Sequence, residues 1–156
     1  MSTRATHARK KASPPPRPSD EASRLACHVA RLMDDGKCEQ VRVFNLVGLS
    51  PVTDLFVIGS GTSERQIASV LAEVSVLARG EGFGRGVSDG SGKGGWVVVD
   101  FFEVMVHLFT PELRAYYDLE SLWGDAPEVD WRAVTKPGQF AKLRPARNVD
   151  LTHRAR

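Results

Sequence analysis

The feature that most constrains the fold is a short, almost uninterrupted apolar run in the first half of the chain. The segment from Asp54 to Ser60 contains Leu55-Phe56-Val57-Ile58. A run of this length suits a β-strand covered on both faces. Such a strand needs other strands at its edges and other elements above and below it. The chain should therefore fold in layers, with helices packed on a sheet.

Helical periodicity brackets this run on both sides. Before it, apolar residues recur at helical spacing from a capping residue, Ser19, to Gly36, a residue that tolerates left-handed geometry at a helix end. After it, Ser63 and Gln66 have the spacing of a capping box. The apolar stripe that follows consists of Ile67, Val70, Leu71, Val74, Leu77 and Ala78. These patterns predict two amphipathic helices.

The rest of the folded part reads as strands and one further helix. Residues rich in β-branched and aromatic side chains predict strands near 41–46, 83–88, 96–99 and 103–109. Thr110 followed by Pro111 is a helix start, and that helix should run to about Trp123. We predict an α/β fold in which a small mixed β-sheet of about five strands is covered by about three helices.

Charge is unevenly distributed along the chain. Residues 1–19 hold five basic residues and no acidic one, and residues 136–156 hold six basic residues and one acidic one. Residues 20–135 hold 18 acidic against 10 basic residues. A folded part with this excess of acid suits a basic protein partner, whereas a nucleic-acid-binding domain normally presents a basic face. The tails are suited to weak, salt-dependent contact with an RNA backbone.

Composition predicts three segments. Residues 1–18, with their proline cluster and basic side chains, read as a disordered tail, residues 19–126 as the domain, and residues 127–156 as a basic, loose extension. The basic N-terminal segment also resembles an organellar transit peptide, although its prolines disfavour the helix that such peptides form. No stretch is apolar for long enough to span a membrane.

A glycine-rich junction invites a nucleotide-binding interpretation. Gly59-Ser60-Gly61 follows a predicted strand and precedes a predicted helix, whose free N–H groups attract anions. The third glycine of a dinucleotide-binding motif would fall at Glu64, and neither a P-loop nor a nucleophile elbow is present. A structural tight turn is the favoured interpretation.

Acids and aromatics near the predicted strand ends leave other functions open. Asp54, Asp100 and Glu103 are suited to a divalent metal, or are solvated acids at strand ends. His107 lies in an apolar strand, where a lone histidine is more often structural than catalytic. Phe101 and Phe102 stand at a bend and cannot both point inward, so at least one is a candidate contact with a partner.

Five segments, in order and spacing, resemble the ribosomal silencing factor family, also called Iojap-related. They are Thr53-Asp54-Leu55-Phe56-Val57-Ile58, Gly61-Thr62-Ser63-Glu64-Arg65-Gln66, Gly95-Trp96-Val97-Val98-Val99-Asp100-Phe101, Glu103-Val104-Met105-Val106-His107-Leu108-Phe109 and Arg114-Ala115-Tyr116-Tyr117-Asp118-Leu119-Glu120-Ser121-Leu122-Trp123. With the first helix and strand, the resemblance covers roughly residues 20–126, and both tails lie outside it.

The resemblance implies a function and a set of partners. Members bind the large ribosomal subunit through the ribosomal protein uL-fourteen, sterically block subunit association and repress translation when nutrients are scarce. They are not enzymes, need no cofactor or metal, and can dimerise. Their fold is distantly similar to nucleotidyltransferases. Members occur in bacteria, mitochondria and chloroplasts, and for this chain we expect the bacterial cytoplasm. The alternative is a small nucleotidyltransferase-like enzyme that uses the glycine turn with Asp100 and Glu103.

The resemblance also implies where the partner binds. The expected contact residues are Trp96, Asp100, Phe101, Phe102, Glu103 and His107. Many members have glycine where this chain has Phe102, and aspartate where it has Glu103. A bulky side chain at this bend would add contact or change its angle.

Overall fold

The computed structural model describes residues 17–84, 86–89 and 94–134. The elements are α1 (Asp20–Asp35), β1 (Glu39–Asn45), β2 (Leu55–Ser60), α2 (Glu64–Gly80), β3 (Val87–Asp89), β4 (Trp96–Asp100), β5 (Val104–Phe109), α3 (Pro111–Tyr117), α4 (Leu119–Leu122) and α5 (Trp131–Val134). Within these ranges no helix is both long and apolar enough to cross a membrane.

The five strands form one mixed sheet in the order β1-β2-β5-β4-β3. β2 and β5 are the parallel pair, with Leu55 opposite Val104, and the other neighbours are antiparallel. The apolar run of β2 is buried throughout, as its composition predicted. The predicted α/β class with five strands is confirmed. The helix predicted to run from Thr110 to about Trp123 is divided into α3 and α4 at Asp118, which takes left-handed geometry (φ 46°), and α5 is one further short helix.

Each face of the sheet has its own core. On one face, α1 and α2 pack against alternate residues of the strands, among them Val43, Val57, Val99 and Val106. On the other face, α3, α4 and the residues after them cover a smaller aromatic core. Its buried members are Phe44, Leu46, Phe56, Ile58 and Phe109. The second core covers the sheet less completely, and Val98 and Met105 on that face remain partly exposed.

The helix ends follow the predictions in part. Ser19 caps α1 and accepts a hydrogen bond from the Ala22 N–H (3.1 Å). Gly36 closes that helix without left-handed geometry (φ −78°), and the left-handed residue is Lys37 (φ 69°), which corrects the prediction. Gly36 is instead a close-packing position, because a Cβ there would lie 2.9 Å from Val70 Cγ2.

The short strand predicted at residues 83–88 begins later, at Val87. Phe83 packs on the core directly after α2, and Gly84 takes a positive φ (66°) that interrupts an extended run. The Val87–Asp89 strand then pairs with β4.

The folded part continues past residue 126, which corrects the predicted start of a loose extension. Residues 127–131, named here the strap, run along the free edge of β1: the Asn45 N–H donates to Pro127 O and the Val129 N–H donates to Val43 O (both 2.8 Å). Trp131 is buried in the first core, and its Nε1–H donates to Val41 O (3.1 Å). The N-terminal tail before Arg17 and residues 135–156 lie outside the described residues.

Candidate functional site

The β4–β5 turn holds four of the predicted site residues in one tight structure. The Phe101 N–H donates to Val104 O (2.9 Å), and the Glu103 N–H donates to Phe101 O (3.0 Å). The Asp100 carboxylate accepts the Phe102 N–H (2.8 Å). This network fixes Phe102 in the left-handed region (φ 70°), where glycine is the unstrained residue.

The two phenylalanines of this turn point in opposite directions. Phe101 is buried against the first core, and the Phe102 side chain is 78% exposed. The prediction that both cannot point inward is therefore confirmed. Phe101 anchors the turn to the first core, and Phe102 is the aromatic side chain of this turn that a partner can reach.

The β1–β2 loop lies against the same turn. The Glu103 carbonyl accepts hydrogen bonds from the N–H groups of Asp54 (3.1 Å) and Leu55 (2.9 Å) and from Thr53 Oγ1 (3.1 Å). This loop exposes Leu49 and Val52. We name the tip surface the set of exposed apolar Leu49, Val52 and Phe102 with the carboxylates of Asp54, Asp100 and Glu103.

Sequence reasoning did not select Leu49 and Val52, because isolated apolar residues in a loop carry no periodic signal. Their neighbour Pro51, a turn residue beside exposed aliphatics, was the available hint.

Trp96 and His107 lie away from the tip surface. Trp96 begins β4 and Asp100 ends it, which places them about 13 Å apart at the usual rise of a strand. Trp96 Nε1–H donates to His107 Nδ1 (3.3 Å), and the Trp96 and Tyr117 ring centroids are 4.7 Å apart. The predicted site residues therefore form two groups on one sheet: the β4–β5 turn, and an aromatic group beside α3.

His107 is a buried, uncharged side chain. It is 5% exposed, and the rings of Phe56 and Phe109 pack on it. Burial lowers its pKa to about 4, so the ring is neutral near pH 7. Because Nδ1 accepts the tryptophan N–H, the proton belongs on Nε2, which finds no hydrogen-bond partner among the described residues. This placement agrees with a structural histidine that orients Trp96.

The glycine-rich junction has a packing role. Gly59 and Ser60 belong to β2, so the predicted tight turn is not formed at these residues. A Cβ on Gly59 would lie 2.4 Å from Met33 Cε, and one on Gly61 would lie 2.4 Å from Ile67 Cγ1. The Met33 methyl beside Gly59 is the end of a flexible side chain and can shift, so the closer packing constraint is at Gly61, against Ile67 of α2.

The start of α2 is already occupied by the chain's own groups. Ser63 Oγ accepts the Gln66 N–H (3.1 Å), and Gln66 Oε1 accepts the Thr62 N–H (2.6 Å), one residue earlier than a capping box would place that bond. Glu64 accepts the Gly94 N–H (3.1 Å) and puts a carboxylate where a phosphate would sit. Among the described residues, no group of three His, Cys, Asp or Glu side chains is placed to hold a metal ion.

An ion-pair network that extends from the buried Arg114 to exposed side chains links the elements of the second face. Arg114, 7% exposed, donates from Nε to Glu120 Oε1 (2.7 Å) and from Nη1 to Ser60 Oγ (3.1 Å). Arg42 also contacts Glu120 and donates twice to Glu128 (both 3.0 Å). Burial alone would raise the pKa of Glu120, but the two arginines outweigh it and lower that pKa. The network fixes α3, α4 and the strap to the sheet.

Comparison with known proteins places the chain in a family. The family model described as ribosomal silencing factor during starvation matches residues 19–153. The ribosomal silencing factor RsfS of Halalkalibacterium halodurans is 40% identical over 102 residues, which are 65% of this chain and 87% of that protein. The chloroplastic protein Iojap of Arabidopsis thaliana is 31% identical over 76% of this chain and 50% of its own length.

The solved structures agree with the sequence comparison. A crystal structure from Bacillus halodurans matches with a TM-score of 0.59 at 36% identity, over 72% of this chain and 99% of that one. A family model that covers most of the chain, and relatives related both in sequence and in fold, give one conclusion: the chain belongs to the ribosomal silencing factor family.

Proposed function

We propose that the chain binds the large ribosomal subunit through the ribosomal protein uL-fourteen, sterically blocks subunit association and represses translation under nutrient limitation. The observation that carries this proposal is the acidic and apolar surface of the β4–β5 turn on a domain of this family. A basic ribosomal protein is complementary to that surface in charge.

The predicted contact residues take different parts in this proposal. Asp100, Phe102 and Glu103 meet the partner directly, and Trp96 extends the contact on the adjoining face. Phe101 and His107 are buried, so they hold the turn and the tryptophan in place. No catalytic step is part of the proposal. We place this action in the bacterial cytoplasm, since the bacterial relative is more similar than the chloroplast one.

Sedimentation with separated ribosomal subunits tests the proposal directly. The purified protein should co-sediment with large subunits and not with small ones, and it should suppress subunit joining when it is added before the small subunit. Glu103→Lys should abolish both effects, because it reverses a charge that faces the basic partner.

The matched control is Glu73→Lys, which makes the same charge change at an exposed acid on α2. This variant should bind and suppress joining like the unaltered protein. Failure of the unaltered protein to sediment with large subunits at low salt, where electrostatic contacts are strongest, would overturn the proposal.

A further inference from the structure

The strained backbone conformation of Phe102 indicates that its side chain has a binding role, in addition to the acidic character of the surface around it. A bulky residue in the left-handed region carries a conformational penalty that glycine does not. Phe102 has this geometry (φ 70°) and buries little of its ring in return, since 78% of the side chain is exposed. The fold itself gains nothing visible from the ring. Residues held in unfavourable backbone conformations cluster at active sites and ligand-binding sites.

The turn that carries Phe102 is held firmly in place. Asp100 accepts its N–H at 2.8 Å, and the following carbonyl, that of Glu103, is bonded to three donors of the β1–β2 loop. The ring is therefore presented on a fixed backbone, which lowers the entropy cost of binding.

The surroundings of Phe102 indicate which partner it fits. Residues 46–54 and 100–103 contain Asp54, Asp100 and Glu103 and no basic residue. Ser19 lies against this turn, since its hydroxyl donates to Glu103 Oε2 (2.9 Å), and Arg17 precedes Ser19 by two residues. Leu49 and Val52 add exposed aliphatic surface at the same end of the sheet. An exposed ring among carboxylates suits a Lys or Arg side chain, whose cation lies over the ring and whose stem packs on the aliphatics.

We infer that the tip surface is a receptor for a basic side chain of the ribosomal partner, with Phe102 as its central contact and Leu49 and Val52 of the β1–β2 loop as its apolar wall. This inference rests on the proposed function, because it takes the basic partner from it. It adds the kind of contact, a cation on an aromatic ring, and two residues from a different part of the chain.

Replacing Phe102 separates a binding role from a structural one. Phe102→Gly relieves the backbone penalty, so its Tm should equal or exceed that of the unaltered protein. Its affinity for purified large subunits should nevertheless fall about tenfold, as expected for a central interface contact. Phe102→Leu keeps the backbone penalty and the apolar bulk but removes the ring, and its affinity should fall about threefold.

Variants of the apolar wall provide a second, independent measurement. Val52→Ser should weaken large-subunit binding, whereas Val76→Ser, at a similarly exposed valine on α2, should not. If Phe102→Gly fails to fold, the comparison of these two serine variants decides the inference.

The outcomes distinguish the two proposals. If the unaltered protein binds large subunits and Phe102→Gly binds them equally well, the receptor is overturned and the proposed function stands. If Phe102→Gly fails to fold, undiminished binding by Val52→Ser has the same meaning. Absence of binding by the unaltered protein overturns both. Equal weakening by Val52→Ser and Val76→Ser also overturns the receptor, because the loss would then not be specific to the tip surface.

Discussion

At the scale of residues, burial decides what each candidate side chain can do. The sequence placed Phe101, Phe102 and His107 in one set, but it carries no information on which side of the sheet each one lies. The bend between two strands predicted that one phenylalanine would turn outward, and the structure shows that it is Phe102. The neutral state of His107 follows from three rings packed around it, a contact between β2, β4 and β5 that no local pattern reveals.

The burial of His107 predicts a pH dependence of stability. Its folded-state pKa of about 4 lies below the ordinary value of 6.5, so the unfolded chain binds the proton more readily between these values. The contribution of neutral His107 to the free energy of unfolding is fully present above pH 6.5 and is lost as the pH falls towards 4. Between pH 7 and pH 5 this residue should reduce the free energy of unfolding by about 2 kcal/mol. Urea unfolding of the unaltered protein and of His107→Phe at both pH values measures this difference.

The comparison removes the contribution of the other titrating groups, because the unaltered protein and His107→Phe share them. An equal change in unfolding free energy between pH 7 and pH 5 in the two proteins would show that His107 does not titrate in this range.

At the scale of elements, periodicity predicted α1, α2, β1 and β2 closely, since each has an unbroken apolar pattern. The strap was missed for a physical reason. Three of its five residues, Pro127, Glu128 and Asp130, are exposed, and its backbone pairs with an edge strand more than 80 residues away in sequence. Trp131, a lone tryptophan in a polar stretch, was the one signal that this segment returns to the core.

Trp131→Ala tests how strongly the strap stabilises the domain. Removal of a buried tryptophan from the core should reduce the free energy of unfolding by about 3–5 kcal/mol. Leu122→Ala, at a residue of α4 that is 70% exposed, should change it by less than about 0.5 kcal/mol. Urea unfolding of both variants provides the comparison. A loss below about 1 kcal/mol for Trp131→Ala would restore the domain boundary predicted at residue 126.

At the scale of the whole molecule, an acidic domain carries basic segments at both ends. Residues 20–135 have an excess of acidic residues, and residues 136–156 have six basic residues. The acidic surface of the domain therefore suits a basic protein, and the basic tails suit an RNA backbone. Composition was sufficient for this division, because net charge needs no knowledge of the fold.

Replacing the six Lys and Arg residues of 136–156 with Gln tests the role of that tail. If it contacts ribosomal RNA, affinity for large subunits should fall, and the dependence of log affinity on log salt should become shallower by about one unit per lost phosphate contact. Binding at several salt concentrations, measured for both proteins, gives the two slopes. Identical slopes would show that the tail does not touch the RNA backbone.

The parallel pairing of β2 with β5 has a consequence for folding during synthesis. Leu55 finds its partner in Val104, so the edge of the most apolar strand cannot close until the second half of the chain exists. At synthesis rates of roughly 5–20 residues per second, the nascent chain carries that open edge for several seconds. The strap closes the opposite edge of β1 later still. The sheet is therefore completed by β5, which lies in the C-terminal half of the chain. A nascent chain that stalls on the ribosome before β5 is made exposes the unpaired edge of β2.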